Sequence, residues 1–177
     1  MFKTSLKKAS TIVAAGAISA AAMLAGTAGT ATAATAASGF NVRLSPVSNP
    51  FLYLDVDGAS MGDGAKIIQW SLSGDNQVWQ FQPVGSHFQI VNRHSGKCIT
   101  SDGGASHQLY QWRCKGTDLQ LWDTTLNPGN LLGYPIKNVA SGLYMEVLGA
   151  SGAQGAAIDT WYYHNGYNQA FLGSSAD

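Results

Sequence analysis

Short alternating segments, rather than helical periodicity, dominate the chain after its alanine-rich N-terminal stretch. In them, apolar and polar residues alternate, or β-branched and aromatic residues cluster. Examples are Phe51-Leu52-Tyr53-Leu54, Trp79-Gln80-Phe81, His87-Phe88-Gln89-Ile90-Val91 and Ile136-Lys137-Asn138-Val139. Turn-forming pairs such as Asp57-Gly58, Ser95-Gly96 and Ser141-Gly142 separate them. The pattern predicts short β-strands joined by tight turns, and therefore an all-β domain.

One phrase, a glutamine followed two residues later by a large aromatic, recurs three times. Its copies are Asn76-Gln77-Val78-Trp79, Leu119-Gln120-Leu121-Trp122 and Asn168-Gln169-Ala170-Phe171. Upstream of each copy lie a tryptophan (Trp70, Trp112, Trp161) and, before it, a short apolar phrase (Tyr53-Leu54-Asp55-Val56, Cys98-Ile99-Thr100-Ser101, Tyr144-Met145-Glu146-Val147). Self-similarity at a nearly fixed period indicates repeated structural units. We therefore predict three copies of one unit.

The length of each unit leaves room for about four short strands. A β-propeller normally has at least about four blades, and a solenoid needs polar end caps that the sequence does not show. Three four-stranded units favour a closed β-trefoil with pseudo-threefold symmetry, with lobes at about 40–85, 86–130 and 131–177. In such a fold Trp79, Trp122 and Phe171 would share one core, so we interpret them as structural residues.

The first 33 residues are predicted to be a secretory signal peptide. A basic start (Lys3, Lys7, Lys8) precedes a small and apolar stretch, Thr11 to Ala25, and a small-x-small cleavage site, Ala31-Thr32-Ala33, with Ala34-Thr35-Ala36 as a second choice. The alternative is a transmembrane anchor, which the weakly apolar composition disfavours. Residues 34–39 are interpreted as a flexible lead-in and residues 40–177 as the domain, so we expect a secreted protein.

The charge of the mature chain narrows the class of partner. Without the three N-terminal lysines, seven basic and ten acidic side chains remain, a formal charge near −3. Such a chain has no electrostatic footprint for nucleic acid or anionic membrane, and we predict neither nucleic-acid binding nor membrane insertion. Many glycine, serine and asparagine residues together with tryptophan and tyrosine favour a neutral, polar partner. No cofactor is expected.

Cys98 and Cys114 are the two cysteines of the chain. In a secreted protein a disulfide is the default, and closing a loop of about 15 residues stabilises by roughly 3 kcal/mol on the chain-entropy model. The alternative is a metal site, which would need further ligands; His94 and His107 lie nearby without ligand spacing. We predict the disulfide and no metal.

Two of the three units carry the same set of polar and aromatic residues. The set is Asp55, Trp70, Asn76 and Gln77 in the first unit, and Glu146, Trp161, Asn168 and Gln169 in the third. A carboxylate accepts strong hydrogen bonds from sugar hydroxyls, an aromatic ring packs on the apolar face of a sugar, and amides both donate and accept. The alternative is that these are structural polar residues. Their joint recurrence favours a carbohydrate site in each of these two lobes.

The second unit lacks this set, because Thr100 and Leu119 replace the carboxylate and the asparagine. Asp102, two residues further along a turn, is its nearest acidic residue. We interpret this lobe as structural.

The motifs quoted above, with Asn92-Arg93-His94-Ser95-Gly96-Lys97-Cys98 and Gln111-Trp112-Arg113-Cys114, resemble a ricin B-type lectin domain, of the kind also appended to bacterial xylanases. The resemblance implies a β-trefoil that binds galactose-type sugars or xylan-like polysaccharide in shallow pockets. It places the sugar carboxylate on Asp55, the stacking ring on Trp70 and the amide pair on Asn76 and Gln77. The third lobe departs from the pattern by Glu146 and Phe171.

No catalytic set is predicted. Glycoside hydrolysis needs two suitably spaced carboxyl groups, and the histidines have no Gly-x-Ser-x-Gly partner. The remaining alternative is a β-trefoil that binds protein, such as a protease inhibitor. An inhibitor has no need of the duplicated polar set.

Overall fold

The computed structural model describes residues 39–124 and 133–176, all within the compact unit Thr35–Asp177. The predicted signal peptide, residues 1–33, and nearly all of the predicted lead-in lie outside the described residues. Among the described residues, no helix is both long and apolar enough to cross a membrane.

The described chain contains twelve short strands. They are β1 (Phe40–Pro46), β2 (Leu52–Val56), β3 (Ile67–Ser71), β4 (Trp79–Val84), β5 (His87–Asn92), β6 (Cys98–Thr100), β7 (Tyr110–Trp112), β8 (Leu121–Thr124), β9 (Ile136–Asn138), β10 (Tyr144–Val147), β11 (Ile158–Trp161) and β12 (Phe171–Ser175). Single 3₁₀ turns follow some of them, at Asp57–Ala59, Asp75–Gln77, Asp118–Gln120, Leu148–Ala150 and Tyr167–Gln169. The predicted all-β class is confirmed.

Six of the strands form a barrel. Antiparallel pairing runs in the order β12, β1, β4, β5, β8, β9. A bridge between Tyr134 and Phe171 then links the segment before β9 to β12. Closure leaves these six strands without a long free edge that could pair with another chain.

The other six strands form three hairpins, β2–β3, β6–β7 and β10–β11. Bridges join the hairpins pairwise: Lys66 with Tyr110, Ile68 with Ala157, and Gln108 with Asp159. Three hairpins that meet one another beside a six-stranded barrel are the architecture of a β-trefoil. The prediction from the repeats is thus confirmed.

The three repeated aromatics lie in one buried core. Trp79, Trp122 and Phe171 are all fully buried and belong to a single hydrophobic cluster. Each indole N–H is satisfied by the hairpin of its own lobe: Trp79 Nε1 donates to the carbonyl of Leu54 at 3.1 Å, and Trp122 Nε1 donates to that of Ile99 at 3.2 Å. The interpretation of these residues as structural is confirmed.

The predicted disulfide joins Cys98 on β6 to Cys114, two residues after β7. It therefore closes the hairpin of the second lobe and leaves the other two hairpins unbridged.

Replacing both cysteines by serine is expected to destabilise the protein while leaving ligand binding unchanged. The bridge restricts the unfolded chain, so its loss should lower the free energy of unfolding by about 3 kcal/mol. Thermal unfolding followed by circular dichroism measures the effect. A variant that melts like the parent but binds ligand less well would contradict the structural role assigned to the second lobe.

Candidate functional site

In the first lobe, the β2–β3 hairpin carries a pocket of about 360 Å³. Strand register pairs Asp55 with Ile68 and Tyr53 with Trp70. Alternate residues of a strand share a face, so Asp55, Ile68 and Trp70 point to the same side of the hairpin. The pocket is lined by Asp55, Asp57, Gly58, Ala59, Ile68, Trp70, Ser73 and Asn76. Three of the four predicted first-lobe residues therefore meet around one pocket.

The ring of Trp70 and the carboxylate of Asp55 differ sharply in exposure. Trp70 is 40% exposed, whereas Asp55 is 3% exposed. A broad apolar ring that stays in contact with solvent, next to a buried acceptor, suits a ligand with both an apolar face and hydroxyl groups.

The pocket wall beyond Asp55 is a 3₁₀ turn with an unusual backbone. Gly58 has φ of +62°, and Ala59, which carries a side chain, has φ of +49°. Few residues other than glycine adopt this left-handed region. The equivalent turn of the third lobe repeats it at Gly149 and Ala150, with φ of +61° and +51°. The two lobes thus build this wall in the same way.

Gln77, the fourth predicted residue, is fully buried behind the pocket. Its Nε2 donates to Oδ2 of Asp55 at 2.7 Å and to the carbonyl of Ser71 at 2.8 Å, and its Oε1 accepts from the amide of Ser73 at 2.8 Å. Both N–H groups and the carbonyl are used within the protein. Gln77 therefore holds the carboxylate in place and is not among the residues that line the pocket.

Asn76 lines the pocket, and its side-chain amide also fastens the hairpin, since Nδ2 donates to the carbonyl of Val56 at 3.3 Å.

Burial raises the pKa of Asp55. Hydrogen bonds from Gln77, Asn76 and Ser73 oppose this effect, and the nearby charge of Asp57 adds to it. Because Asp55 is buried, its carboxyl group is poorly hydrated, and a ligand hydroxyl has little water to displace from it.

The third lobe repeats this arrangement bond for bond. Register places Glu146 opposite Asp159 and Tyr144 opposite Trp161. Gln169 Nε2 donates to Oε2 of Glu146 at 2.8 Å and to the carbonyl of Tyr162 at 2.9 Å. Its Oε1 accepts from the amide of His164 at 2.9 Å. Glu146 and Gln169 are therefore held in the same network as Asp55 and Gln77.

The amide of Asn168 plays the part of Asn76, because its Nδ2 donates to the carbonyl of Val147 at 3.1 Å. Trp161 is 39% exposed and Glu146 is 5% exposed, close to the values of Trp70 and Asp55. The extra methylene of Glu146 is accommodated without loss of its bond to the buried glutamine.

Comparison with known proteins identifies the family. The family profile described as ricin-type β-trefoil lectin domain-like matches residues 75–161. The fold is similar to that of the designed threefold-symmetric protein ThreeFoil, with 32% identity, 77% of this chain and 99% of that chain covered, and a TM-score of 0.71. The chain belongs to the ricin-type β-trefoil lectin family. No curated protein sequence matches it significantly.

Two further solved structures share the fold of this ricin-type lectin. The C-terminal half of an earthworm R-type lectin, solved in complex with GalNAc, is 22% identical, with 77% of this chain and 99% of that chain covered and a TM-score of 0.63. An exo-β-1,3-galactanase from Clostridium thermocellum is 25% identical and has a TM-score of 0.72. The match covers 77% of this chain and 30% of the galactanase chain.

The second lobe of the lectin keeps the buried glutamine but lacks the carboxylate. Gln120 Nε2 donates to Oγ1 of Thr100 at 3.0 Å and to the carbonyl of Arg113, also at 3.0 Å. Asp102 does not replace the missing group: its carboxylate faces His107 at 2.9 Å and accepts from the amide of Gly104 at 2.9 Å. The lobe therefore offers no equivalent carboxyl group.

Beside Glu146, two residues of the third lobe differ from their first-lobe counterparts, and neither was predicted from the sequence as a site residue. His164 stands where the first lobe has Ser73, with Nε2 at 3.2 Å from Oε2 of Glu146. Asp159 stands where the first lobe has Ile68. It is fully buried, and neither carboxyl oxygen has a hydrogen-bond partner from another residue. Burial, together with the charge of Glu146, raises the pKa of Asp159 to about 6.

Each lobe also anchors a loop of a neighbouring lobe. Gln111 Nε2 of the second lobe donates to the carbonyls of Ser60 and Gly62, at 2.7 and 2.9 Å, in the loop that continues from the first-lobe turn. Gln69 of the first lobe bonds Ser151 and Ala153 of the third, both at 2.8 Å. Thr160 of the third lobe bonds Gly104 of the second at 2.9 Å. These bonds form a ring of loop anchors around the threefold arrangement.

The described part of this lectin contains no cluster of side chains suited to bind a metal ion. Within residues 39–124 and 133–176, no group of three histidine, cysteine, aspartate or glutamate side chains is placed to hold a metal ion.

Proposed function

We propose that this protein is a secreted lectin that binds galactose-type sugars or plant and cell-wall polysaccharide through its first and third lobes. The observation that carries the proposal is the twofold occurrence of one arrangement. In each of these lobes a buried carboxylate, a half-exposed tryptophan and an asparagine surround the same turn. A structural role for one polar residue would not require all of them to recur together with the same bonds.

In the proposed complex, the carboxylates of Asp55 and Glu146 accept hydrogen bonds from neighbouring hydroxyls of a sugar. The rings of Trp70 and Trp161 pack against its apolar face. Gln77 and Gln169 act through the carboxylates that they hold, so they are positioning residues. This role is narrower than the direct contact that we expected for them from the sequence.

The similarity to known lectins and to the galactanase supports a galactose-containing ligand. The earthworm lectin half is described in complex with GalNAc, and the galactanase acts on β-1,3-galactan. For this chain we propose binding without hydrolysis. The ricin-type domain is a lectin family, and this chain covers under a third of the galactanase.

Alanine at Asp55 or Trp70 is expected to abolish measurable sugar binding at the first lobe. A shallow site for one sugar has a Kd near 1 mM, about −4 kcal/mol, and stacking or a charged hydrogen bond contributes about 1–3 kcal/mol. A glycan array on residues 34–177 first identifies the sugar. NMR titration of both variants with that sugar, following the amide signals around Asn76, then measures binding.

Asp102→Ala is the matched control, because it removes an exposed carboxylate from the corresponding turn of the second lobe. It should titrate like the parent protein. Parent-like shifts around Asn76 in the Asp55 and Trp70 variants would refute the assigned site. Binding to a protein partner that the sugar does not inhibit would favour the inhibitor-like alternative.

A further inference from the structure

The third lobe exposes four large aromatic side chains in one short segment. Trp161 is 39% exposed, Tyr162 66%, Tyr163 46% and Tyr167 61%; we call these residues the aromatic patch. Aligning the two lobes through their tryptophans and buried glutamines places Ser71, Leu72 and Asp75 of the first lobe opposite the three tyrosines. The three tyrosines are therefore additions to the third lobe, and adjoining exposed aromatics mark an interaction surface.

Contacts within the protein hold the patch in shape before any ligand arrives. The ring of Tyr163 packs on that of Tyr144 with centroids 4.6 Å apart. Its hydroxyl donates to Oδ1 of Asn165 at 2.9 Å. The rings of Trp161 and Tyr162 meet edge to face at 5.5 Å. Rings that are already ordered lose little conformational entropy on binding.

The patch also adjoins the candidate site of the third lobe. The buried Gln169, which holds Glu146, accepts from the amide of His164 and donates to the carbonyl of Tyr162. One side chain thus fixes both the carboxylate of the candidate site and the backbone of the patch. A ligand seated against Glu146 and Trp161 would have the tyrosines beside it.

The chemistry of the patch fits a neutral sugar chain. The segment from Trp161 to Gln169 contains no lysine, arginine, aspartate or glutamate. Tyrosine combines an apolar ring with a hydroxyl that donates and accepts hydrogen bonds, matching the apolar faces and hydroxyls of successive sugar units. One monosaccharide cannot cover all four rings.

We propose that the third lobe binds a chain of at least two sugar units, whereas the first lobe binds a single unit. One unit lies against Glu146 and Trp161, and the next lies on Tyr162, Tyr163 and Tyr167. This inference rests on the proposed function. It assigns the two lobes different ligands: an end or branch of a glycan for the first, and an extended stretch for the third.

The test compares chain lengths with one lobe silenced at a time. In the Trp70→Ala background, calorimetry measures binding of galactose against β-1,3-galactotriose, and of xylose against xylotriose. For one of the two pairs, the trisaccharide should bind about 10-fold more tightly than its monosaccharide. In the Trp161→Ala background, which leaves the first lobe, the two lengths should bind within about 2-fold of each other on a per-site basis.

Exchanging the three tyrosines for the first-lobe residues (Tyr162→Ser, Tyr163→Leu, Tyr167→Asp) should remove the gain with chain length, measured as the ratio of trisaccharide to monosaccharide affinity within the same variant. If the triple variant does not fold by circular dichroism, Tyr162→Ser alone, at the most exposed position, should reduce the gain. If the gain in affinity with chain length persists in the triple variant, or is absent in the unexchanged third lobe, this inference is wrong and the proposed function still stands. If no variant or parent binds any of the four sugars and the glycan array is blank, the proposed function fails and this inference fails with it.

Discussion

Removing Trp161 should lower retention of the protein on a surface dense in its sugar by about 100-fold or more, although half of the binding sites remain. The two proposed sites lie in different lobes of a threefold arrangement, so they face different directions. A surface that carries many sugars can occupy both, and two engaged sites raise apparent affinity by about 10²–10⁴ over one. Trp70→Ala should have a similar effect, because either change leaves a monovalent protein.

Surface plasmon resonance on a high-density glycan surface measures this loss, and Trp112→Ala in the second lobe is the control. Calorimetry with a soluble monosaccharide should give two equivalents per chain for the parent and one for either variant. A parent stoichiometry of one that Trp161→Ala does not change would show that the third lobe is silent towards that sugar.

The second large effect concerns stability. Replacing Asp159 by asparagine, or by the isoleucine that the first lobe has at this position, should stabilise the protein at pH 7. The carboxyl is buried without a partner from another residue and lies opposite Glu146. Burial raises its pKa from the ordinary 3.8 to about 6. The folded state therefore binds a proton that the unfolded chain releases between about pH 4 and pH 6.

The sign follows from this difference in proton binding. Between these pH values the folded state binds more protons than the unfolded state, so the free energy of unfolding falls as the pH rises. Above pH 6 the decrease in the free energy of unfolding is complete and amounts to about 3 kcal/mol, at about 1.4 kcal/mol per pH unit. Asp159→Asn and Asp159→Ile should restore much of this free energy at pH 7 and little at pH 3.5.

Urea unfolding at several pH values tests this prediction. The matched comparison is Asp102→Asn, an exposed carboxylate whose pKa is lowered by the Gly104 amide and by His107. Its removal should not stabilise the protein at neutral pH. Asp159 variants that retain the parent slope of stability between pH 4 and pH 6 would assign that slope to other groups.

The repeats made the fold predictable from the sequence, because three copies of a four-strand unit leave few closed architectures. The common location of the carboxylate, the tryptophan and the asparagine beside one hairpin was also predictable, since the same residue types recur at nearly the same spacing. Their role in binding stays a prediction. The role of Gln77 was not predictable from the sequence. It depends on which hydrogen bonds the side chain makes inside the protein, and residue spacing does not reveal those bonds.

Asp159 and the tyrosines of the third lobe left signals that became clear only after the strands were paired. Ile158-Asp159-Thr160-Trp161 aligns with Ile67-Ile68-Gln69-Trp70, which sets a charged residue at an apolar position. Its significance depends on the residue opposite, Glu146, and cross-strand neighbours follow from register and not from sequence distance.

The ring of loop anchors also bears on how such a protein can diverge. The second lobe lacks the carboxylate, yet its Gln111 holds the first-lobe loop at Ser60 and Gly62. A lobe that lacks the candidate site is then still needed by its neighbour, so selection on the first site acts on residues of the second lobe. Gene duplication could give the three units separate ligands, but the anchors keep them from becoming independent modules.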